Sequence, residues 1–266
     1  MNLLAGDLGG TKTILAIYSN EKYPKKLFNK YYISSDWKSF EAIFEDFIKQ
    51  IPESISLPDY GCIGVAGPIN DEKVKITNLK WDIDKKKLCL LSKIKKIELI
   101  NDFSVLIYGI PFFKEDQYDL IQGNLNSEVK YNQELIAIIG AGTGLGMSRG
   151  VITEKSIFIF PSEGGHKEFA PRTKDEWDLV EWLKKRLKLQ RISIERIVSG
   201  TGLGMIARWK LDDPSQINHP LQNILRKIDS EDLDIVDLPA LVWEKANQRD
   251  KLMSEALELW LNAYGS

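Results

Sequence analysis

Apolar positions along the chain follow two different periods. Leu3 to Gly6, Ile14 to Ser19 and Leu27 to Ile33 are short apolar and β-branched runs, the first two separated by GDLGGTKT. Runs of this length and composition predict strands. From Trp37 the spacing changes: Phe40, Ile43, Phe44, Phe47, Ile48 and Ile51 recur every three or four residues and predict a helix with one apolar stripe, ended by Pro52. Tyr60 to Ala66 reads as a buried strand stopping at Gly67-Pro68. Lys96 to Ile100 reads as another, stopping at Asn101-Asp102, with an apolar stretch to Ile110 behind it.

A second set begins near Asp119. Leu135 to Ile139 is a strand, GAGTGLG a glycine loop, Met147 to Thr153 a returning strand and Ser156 to Phe160 a further one. Helical spacing dominates afterwards, with stripes at Trp177, Val180, Leu183 and Leu187, at Leu238, Leu241 and Val242, and at Met253, Leu257, Trp260, Leu261 and Tyr264. Strand, glycine turn and strand thus occur twice, each opening a mixed set of strands and helices. The expectation is two α/β domains with a boundary near Gly109 to Lys114: a smaller one over 1–110 and a larger one over 111–266, helical in its C-terminal half. The lysines at Lys85 to Lys87 read as a solvated helix face.

Composition narrows the class. The 266 residues are 43% hydrophobic and 28% charged, typical of a globular chain long enough to bury a large core. Lys and Arg number 36 against 38 Asp and Glu, a net −2, so the basic excess of a nucleic-acid binder is missing. Cys62 and Cys89 form no CxxC and read as buried thiols in a reducing compartment. The longest uncharged stretch, Leu135 to Ser148, is too short and too rich in glycine to span a bilayer, and MNLLAGDLGG has no export pattern. These features point to a soluble, cytoplasmic protein without a membrane partner.

GDLGGTKT is not a Walker A loop, because Thr11 stands where that motif needs a glycine before Lys12, and the sequence after it is strand-like. Gly9 and Gly10 would let backbone N–H groups turn toward a phosphate while Thr11 adds a hydroxyl. Asp7 would face that phosphate, which requires a hydrated Mg²⁺ between them. An ordinary glycine hairpin is the plain alternative. GAGTGLG repeats the chemistry with Thr143, and two such hairpins could clamp a polyphosphate. The third glycine run, SGTGLG from Ser199 to Gly204, reads as a helix entry.

Asn101 and Asp102 end a buried strand, where open α/β folds place ligands, although Asn and Asp are also ordinary helix caps. In SEGGH the two glycines, Gly164 and Gly165, separate Glu163 from His166, one of two histidines in the chain, and would let the backbone approach a ligand. Glu195 precedes the third glycine run and is either a site residue or an exposed helix carboxylate. Carboxylates, an amide and an imidazole without metal-ligand spacing suit vicinal hydroxyls. With two phosphate hairpins they imply phosphoryl transfer from a nucleotide to a sugar.

At these residues the sequence resembles bacterial glucokinases of the sugar kinase–Hsp70–actin superfamily. The matching runs are LAGDLGGTKT, IGVAGPI, TNLKWDI, LINDF, IGAGTGLG, PSEGGHKEFAP and ERIVSGTGL, in family order over about the first 205 residues. The resemblance implies a two-domain ribonuclease H-like α/β fold of the actin-like ATPase and hexokinase type, with mixed sheets, flanking helices and a cleft between domains. It implies ATP and Mg²⁺ as cofactors, glucose as substrate, glycolysis as the setting and a homodimer as assembly. Asp102 would be the general base for the glucose 6-hydroxyl, with Asn101, Asp102, Glu163, His166 and Glu195 contacting the sugar. Gly6, Asp7, Leu8, Gly9, Gly10 and Thr11, with Gly140, Ala141, Gly142, Thr143 and Gly144, would bind ATP, Asp7 reaching Mg²⁺ through water.

The related repressor–kinase family follows its ExGH segment with a zinc-binding cysteine cluster, which the residues after His166 lack. Family members also continue past the position of Ser266 with a glycine-rich adenosine-contacting segment and a final helix. The expectation is therefore an incomplete large domain, in a chain that binds glucose better than it phosphorylates it. Rival expectations are a kinase for another hexose and a sugar-binding protein inactive through truncation.

Overall fold

The computed structural model describes residues 1–67, 69–70, 73–76, 79, 81–122, 134–231 and 237–266. Pro68 of IGVAGPI and Thr77, Asn78 and Lys80 of TNLKWDI lie outside the described residues. The chain divides into two compact units, Met1–Ile138 with Ser148–Pro161, and Ile139–Met147 with Ser162–Ser266. Each carries one of the two glycine hairpins. The boundary expected near Gly109 to Lys114 falls inside the first unit.

In the first unit, β1 (Asn2–Leu8), β2 (Lys12–Ser19) and β3 (Lys26–Ile33) form an antiparallel ribbon. A helix, α1 (Phe40–Lys49), follows, and β4 (Tyr60–Val65) then returns parallel to β1. β5 (Ile69–Asn70), β6 (Lys73–Ile76) and β7 (Trp81–Asp84) make a small antiparallel sheet of their own. α2 (Lys85–Ser92) leads to β8 (Lys96–Asn101), parallel to β4, giving the order β3-β2-β1-β4-β8.

The helical stripe behaves as its spacing demands. Phe40, Ile43, Phe44 and Phe47 are fully buried against Leu4, Leu15, Ile17, Ile63 and Ile97 of the sheet. The helix starts at Phe40 rather than Trp37 because the Ser39 hydroxyl accepts the Ala42 N–H at 3.3 Å, an ordinary N-cap. Lys86 and Lys87 are exposed on α2, as a solvated face requires.

The expectation for the cysteines needs correction. Cys62 is exposed and Cys89 half-buried, both as free thiols. Side chains on β4 alternate, so the face opposite buried Ile63 carries Cys62 outward.

Beyond β8 the chain turns at once into α3 (Asp102–Gly109). β9 (Glu134–Ala141), β10 (Leu145–Ile152) and β11 (Ile157–Ser162) form a sheet in the order β11-β10-β9. In the second unit α4 (Lys174–Leu187), α5 (Gly200–Leu211), α6 (Leu221–Glu231), α7 (Leu238–Asn247) and α8 (Lys251–Tyr264) follow. Leu179, Val180, Leu183, Leu203, Ile206, Val242, Met253 and Ala256 fill the core. Trp177, expected in the α4 stripe, is exposed, and Leu179 takes its place. Among the described residues no helix is long and apolar enough to cross a membrane.

Candidate functional site

The first hairpin, Gly9 to Thr11, joins β1 to β2. Its turn is closed by the Gly9 N–H donating to the Lys12 carbonyl at 3.0 Å. The buried Ser34 hydroxyl donates to the Gly9 carbonyl at 2.9 Å and sits 3.0 Å from the buried Thr13 hydroxyl, while the Ser34 N–H donates to the Thr11 carbonyl. Two hairpin carbonyls are thereby held from behind. Asp7 and Thr11 are exposed beside the turn, whereas Leu8 is buried. Gly6 serves the core: a Cβ there would come within 2.9 Å of Leu15 and 3.0 Å of Ile63.

The second hairpin joins β9 to β10, and the Gly142 N–H donates to the Gly144 carbonyl at 2.9 Å. It too is held from behind. The Gly200 N–H donates to the Gly142 carbonyl at 2.8 Å, and the Thr201 hydroxyl donates to the Thr143 carbonyl at 2.9 Å. Glu195 accepts the Leu145 N–H through Oε2 at 3.0 Å. Gly142 and Thr143 are exposed.

Glu163, His166 and Glu195 come together in the same unit. The His166 ring lies 3.3 Å from Glu163 through Nε2 and 3.9 Å from Glu195 through Nδ1. Glu163 precedes a short turn, Gly164–His166, in which the His166 N–H donates to the Glu163 carbonyl at 3.0 Å. The glycines of SEGGH are explained by packing rather than by close approach to a ligand. A Cβ on Gly165 would meet the Leu145 carbonyl at 2.6 Å, and one on Gly164 would meet the Met147 sulfur at 2.6 Å. Glu195 stands on a short turn, Ile194–Arg196, with its side chain 31% exposed, so it is not the exposed helix carboxylate of the plainer reading.

Asn101 and Asp102 lie where β8 gives way to α3. The cap reading is correct for Asn101: its Oδ1 accepts the Phe103 and Ser104 N–H groups at 3.2 and 3.0 Å. Its Nδ2 donates to Asp102 Oδ1 at 3.1 Å and to the Gly67 carbonyl at 3.4 Å. Asp102 Oδ1 also accepts the Phe103 N–H at 2.9 Å, while Oδ2 receives no hydrogen bond from any other described residue. Burial pushes the Asp102 carboxyl above the usual aspartate range. The Phe103 N–H opposes the rise and the Asp7 carboxylate adds to it.

The residues holding the hairpins from behind, Ser34, Gly200 and Thr201, were not singled out in the sequence for that task. SGTGLG is a helix entry, as expected: the Ser199 hydroxyl accepts the Gly202 N–H at 2.9 Å. No pattern in it announces that its second and third residues brace another loop.

The Glucokinase family model matches residues 4–266. The glucokinase of Trichormus variabilis is 36% identical over 274 residues, covering 99% of this chain and 78% of that protein. The glucokinase of Synechocystis sp. is 36% identical over 282 residues, covering 100% and 78%. Among solved structures, the glucokinase of Balamuthia mandrillaris in complex with glucose aligns with a TM-score of 0.74 at 22% identity, covering 97% of this chain and 72% of that one. A ROK family glucokinase of Streptomyces griseus in complex with glucose and AMPPNP gives 0.60 at 19% identity, covering 100% and 77%. These likenesses carry the fold, the actin-like ATPase type expected from the resemblance. With the family model matching nearly end to end, and relatives of this identity over nearly its whole length, the chain belongs to the glucokinase family.

Proposed function

We propose that this chain transfers the terminal phosphoryl group of ATP to the 6-hydroxyl of glucose, giving glucose 6-phosphate and ADP as the entry step of glycolysis. The observation that carries the reading is Asp102. It is a half-buried carboxylate at the end of a parallel strand, with one oxygen engaged by its neighbours and the other available. That is the arrangement a general base needs, since a carboxyl raised above its ordinary range holds a proton more firmly. The Asp102 carboxylate takes the proton of the 6-hydroxyl as that oxygen bonds to phosphorus. The bond from phosphorus to ADP breaks, and its electron pair leaves with ADP.

Asn101, Glu163, His166 and Glu195 hold the remaining hydroxyls. Asn101 can exchange its long 3.4 Å contact with the Gly67 carbonyl for a sugar oxygen without losing its cap. The two hairpin segments, Gly6 to Thr11 and Gly140 to Gly144, contact the phosphates through backbone N–H groups of their turns.

The residues present fit a hydrated magnesium ion. Among the described residues no cluster of three or more His, Cys, Asp or Glu could hold a bare metal. Asp7, whose charge is felt by Asp102, would hold Mg²⁺ through water. When bound, the ion would neutralise phosphate charge. The two-domain division at 110/111, a cytoplasmic location and a homodimer belong to the same proposal.

A coupled ADP-release assay against a panel of sugars tests the substrate. Glucose should give the highest kcat/KM; a higher value for fructose or an N-acetylated amino sugar would move the reading to a different hexose kinase.

A further inference from the structure

Two buried serines near Asp102 have no part in the function proposed so far. Ser104, on α3, and Ser148, on β10, are each 2% exposed. Their hydroxyl oxygens are 3.3 Å apart, and the Ser104 oxygen is also 3.2 Å from Asn101 Oδ1. Distances alone leave the direction of the serine pair open, but the chemistry of Asn101 settles it. Asn101 Oδ1 accepts two backbone N–H groups, so that atom is the carbonyl oxygen of the amide and has no proton to give. The single proton of Ser104 therefore goes to Asn101 Oδ1, and Ser148 is the donor to Ser104.

The order runs without a break. Ser148 donates to Ser104, Ser104 to Asn101 Oδ1, and Asn101 Nδ2 to Asp102 Oδ1. With the amide held this way round, Nδ2 faces the carboxylate. Both neighbours that reach Asp102, the Asn101 amide and the Phe103 N–H, converge on the same oxygen. The other oxygen is left without a donor from any other described residue.

We propose that Ser148 and Ser104 are positioning residues, a buried hydroxyl relay that fixes the Asn101 amide and so presents Asp102 Oδ2 as the oxygen that takes the substrate proton. The proposal rests on Asp102 being the general base. The helix cap does not need the relay, since the Phe103 and Ser104 N–H groups reach Asn101 Oδ1 independently of either hydroxyl. Loss of a serine hydroxyl should therefore loosen the amide and the carboxylate while leaving α3 in place.

The test compares kcat, glucose KM and the melting temperature for the parent chain, Ser148→Ala, Ser104→Ala, the double variant and the hydroxyl-retaining Ser148→Thr. Ser148→Ala removes only a donor and strands no buried partner, so it decides the matter if Ser104→Ala folds poorly. Each alanine variant should lower kcat by about 3- to 10-fold, below the roughly 10²-fold that a 1 Å misplacement can cost, because the backbone donors still hold Asn101 Oδ1. Glucose KM should change by less than kcat does, since Asn101 Oδ1 keeps both backbone donors and the larger loss lies in the transition state. The double variant should be no slower than the slower single one, because the hydroxyls act in series. Ser148→Thr should recover the parent rate to within about 2-fold.

Unchanged kcat in Ser148→Ala, a change confined to KM, a multiplicative double variant, or a Ser148→Thr as slow as Ser148→Ala would each overturn the relay while leaving Asp102 as base. Absence of Asp102-dependent turnover in the parent chain would remove the reading beneath it, and the relay with it.

Discussion

Replacing Gly144 by alanine tests whether Glu195 braces the second hairpin. A Cβ at that position would lie 2.5 Å from Glu195 Oε2 and 3.2 Å from its carboxyl carbon, so the carboxylate must move. As the free end of a side chain it can swing aside. The cost is then the bond it abandons, from the Leu145 N–H at 3.0 Å. Hydrogen bonds to charged groups contribute about 1.5–3 kcal/mol. The Glu195 side chain is 31% exposed, so water replaces part of the loss, leaving about 1–2 kcal/mol.

Gly142 supplies the control within the same turn. A Cβ there meets nothing within 4 Å, so Gly142→Ala bears the same change in unfolded-chain entropy without displacing Glu195. The difference between the two variants isolates the contact. At about 2–4 °C per kcal/mol for a chain of this size, Gly144→Ala should melt about 2–8 °C below Gly142→Ala. Thermal unfolding followed by circular dichroism gives that difference. Calorimetric titration with glucose should show weaker binding in Gly144→Ala alone, because the displaced carboxylate is also a proposed sugar ligand. Equal melting temperatures would refute the brace, and equal glucose affinities would remove Glu195 from the sugar site.

Asp102→Asn should cut turnover by about 10²–10⁴-fold with glucose affinity nearly retained, read by the coupled assay and calorimetry. The same variant has a stability consequence of definite sign. A carboxyl whose folded value is raised contributes stability that is complete below its unfolded value and lost as pH rises through the folded one. Asp102→Asn should therefore melt higher than the parent at neutral pH, with the gain vanishing below the aspartate range. His166→Ala should weaken glucose binding by about 10-fold, the scale of one lost hydrogen bond in a site built to pair hydroxyls, while an unchanged titration would make the ring structural. Phe44→Ala, at a fully buried position on α1, should cost about 3–5 kcal/mol by denaturant unfolding.

Sequence legibility followed physical period and local chemistry. The stripe of α1 and the strands flanking each glycine hairpin were readable because one face or one short run is apolar. The small β5–β6–β7 sheet was not: β5 spans only Ile69–Asn70 and β6 and β7 four residues each, too little for a periodic signal.

The chemistry divides in the same way. Asn101, Asp102, Glu163, His166 and Glu195 stood out as polar residues beside glycines or at strand ends. Ser34, Ser104, Ser148 and Thr201 did not, because a hydroxyl bonded within the fold and one facing water look alike in sequence. What distinguishes them is the partner brought by the fold, and those partners lie far along the chain, as in Ser104 with Ser148 and Thr201 with Thr143. Glycine carried a mixed message. Gly6, Gly164 and Gly165 read as ligand-facing, yet side chains or carbonyls of this chain fill the space beside them.

Phosphoryl transfer to the sugar is read by incubating the protein with glucose, magnesium and ATP labelled in its terminal phosphate, then separating the sugar products. Labelled glucose 6-phosphate should form with the parent chain, at a level well above that from a folded Asp102→Asn variant that still binds glucose. Label in glucose 6-phosphate to the same extent from both proteins, or in neither, would contradict it.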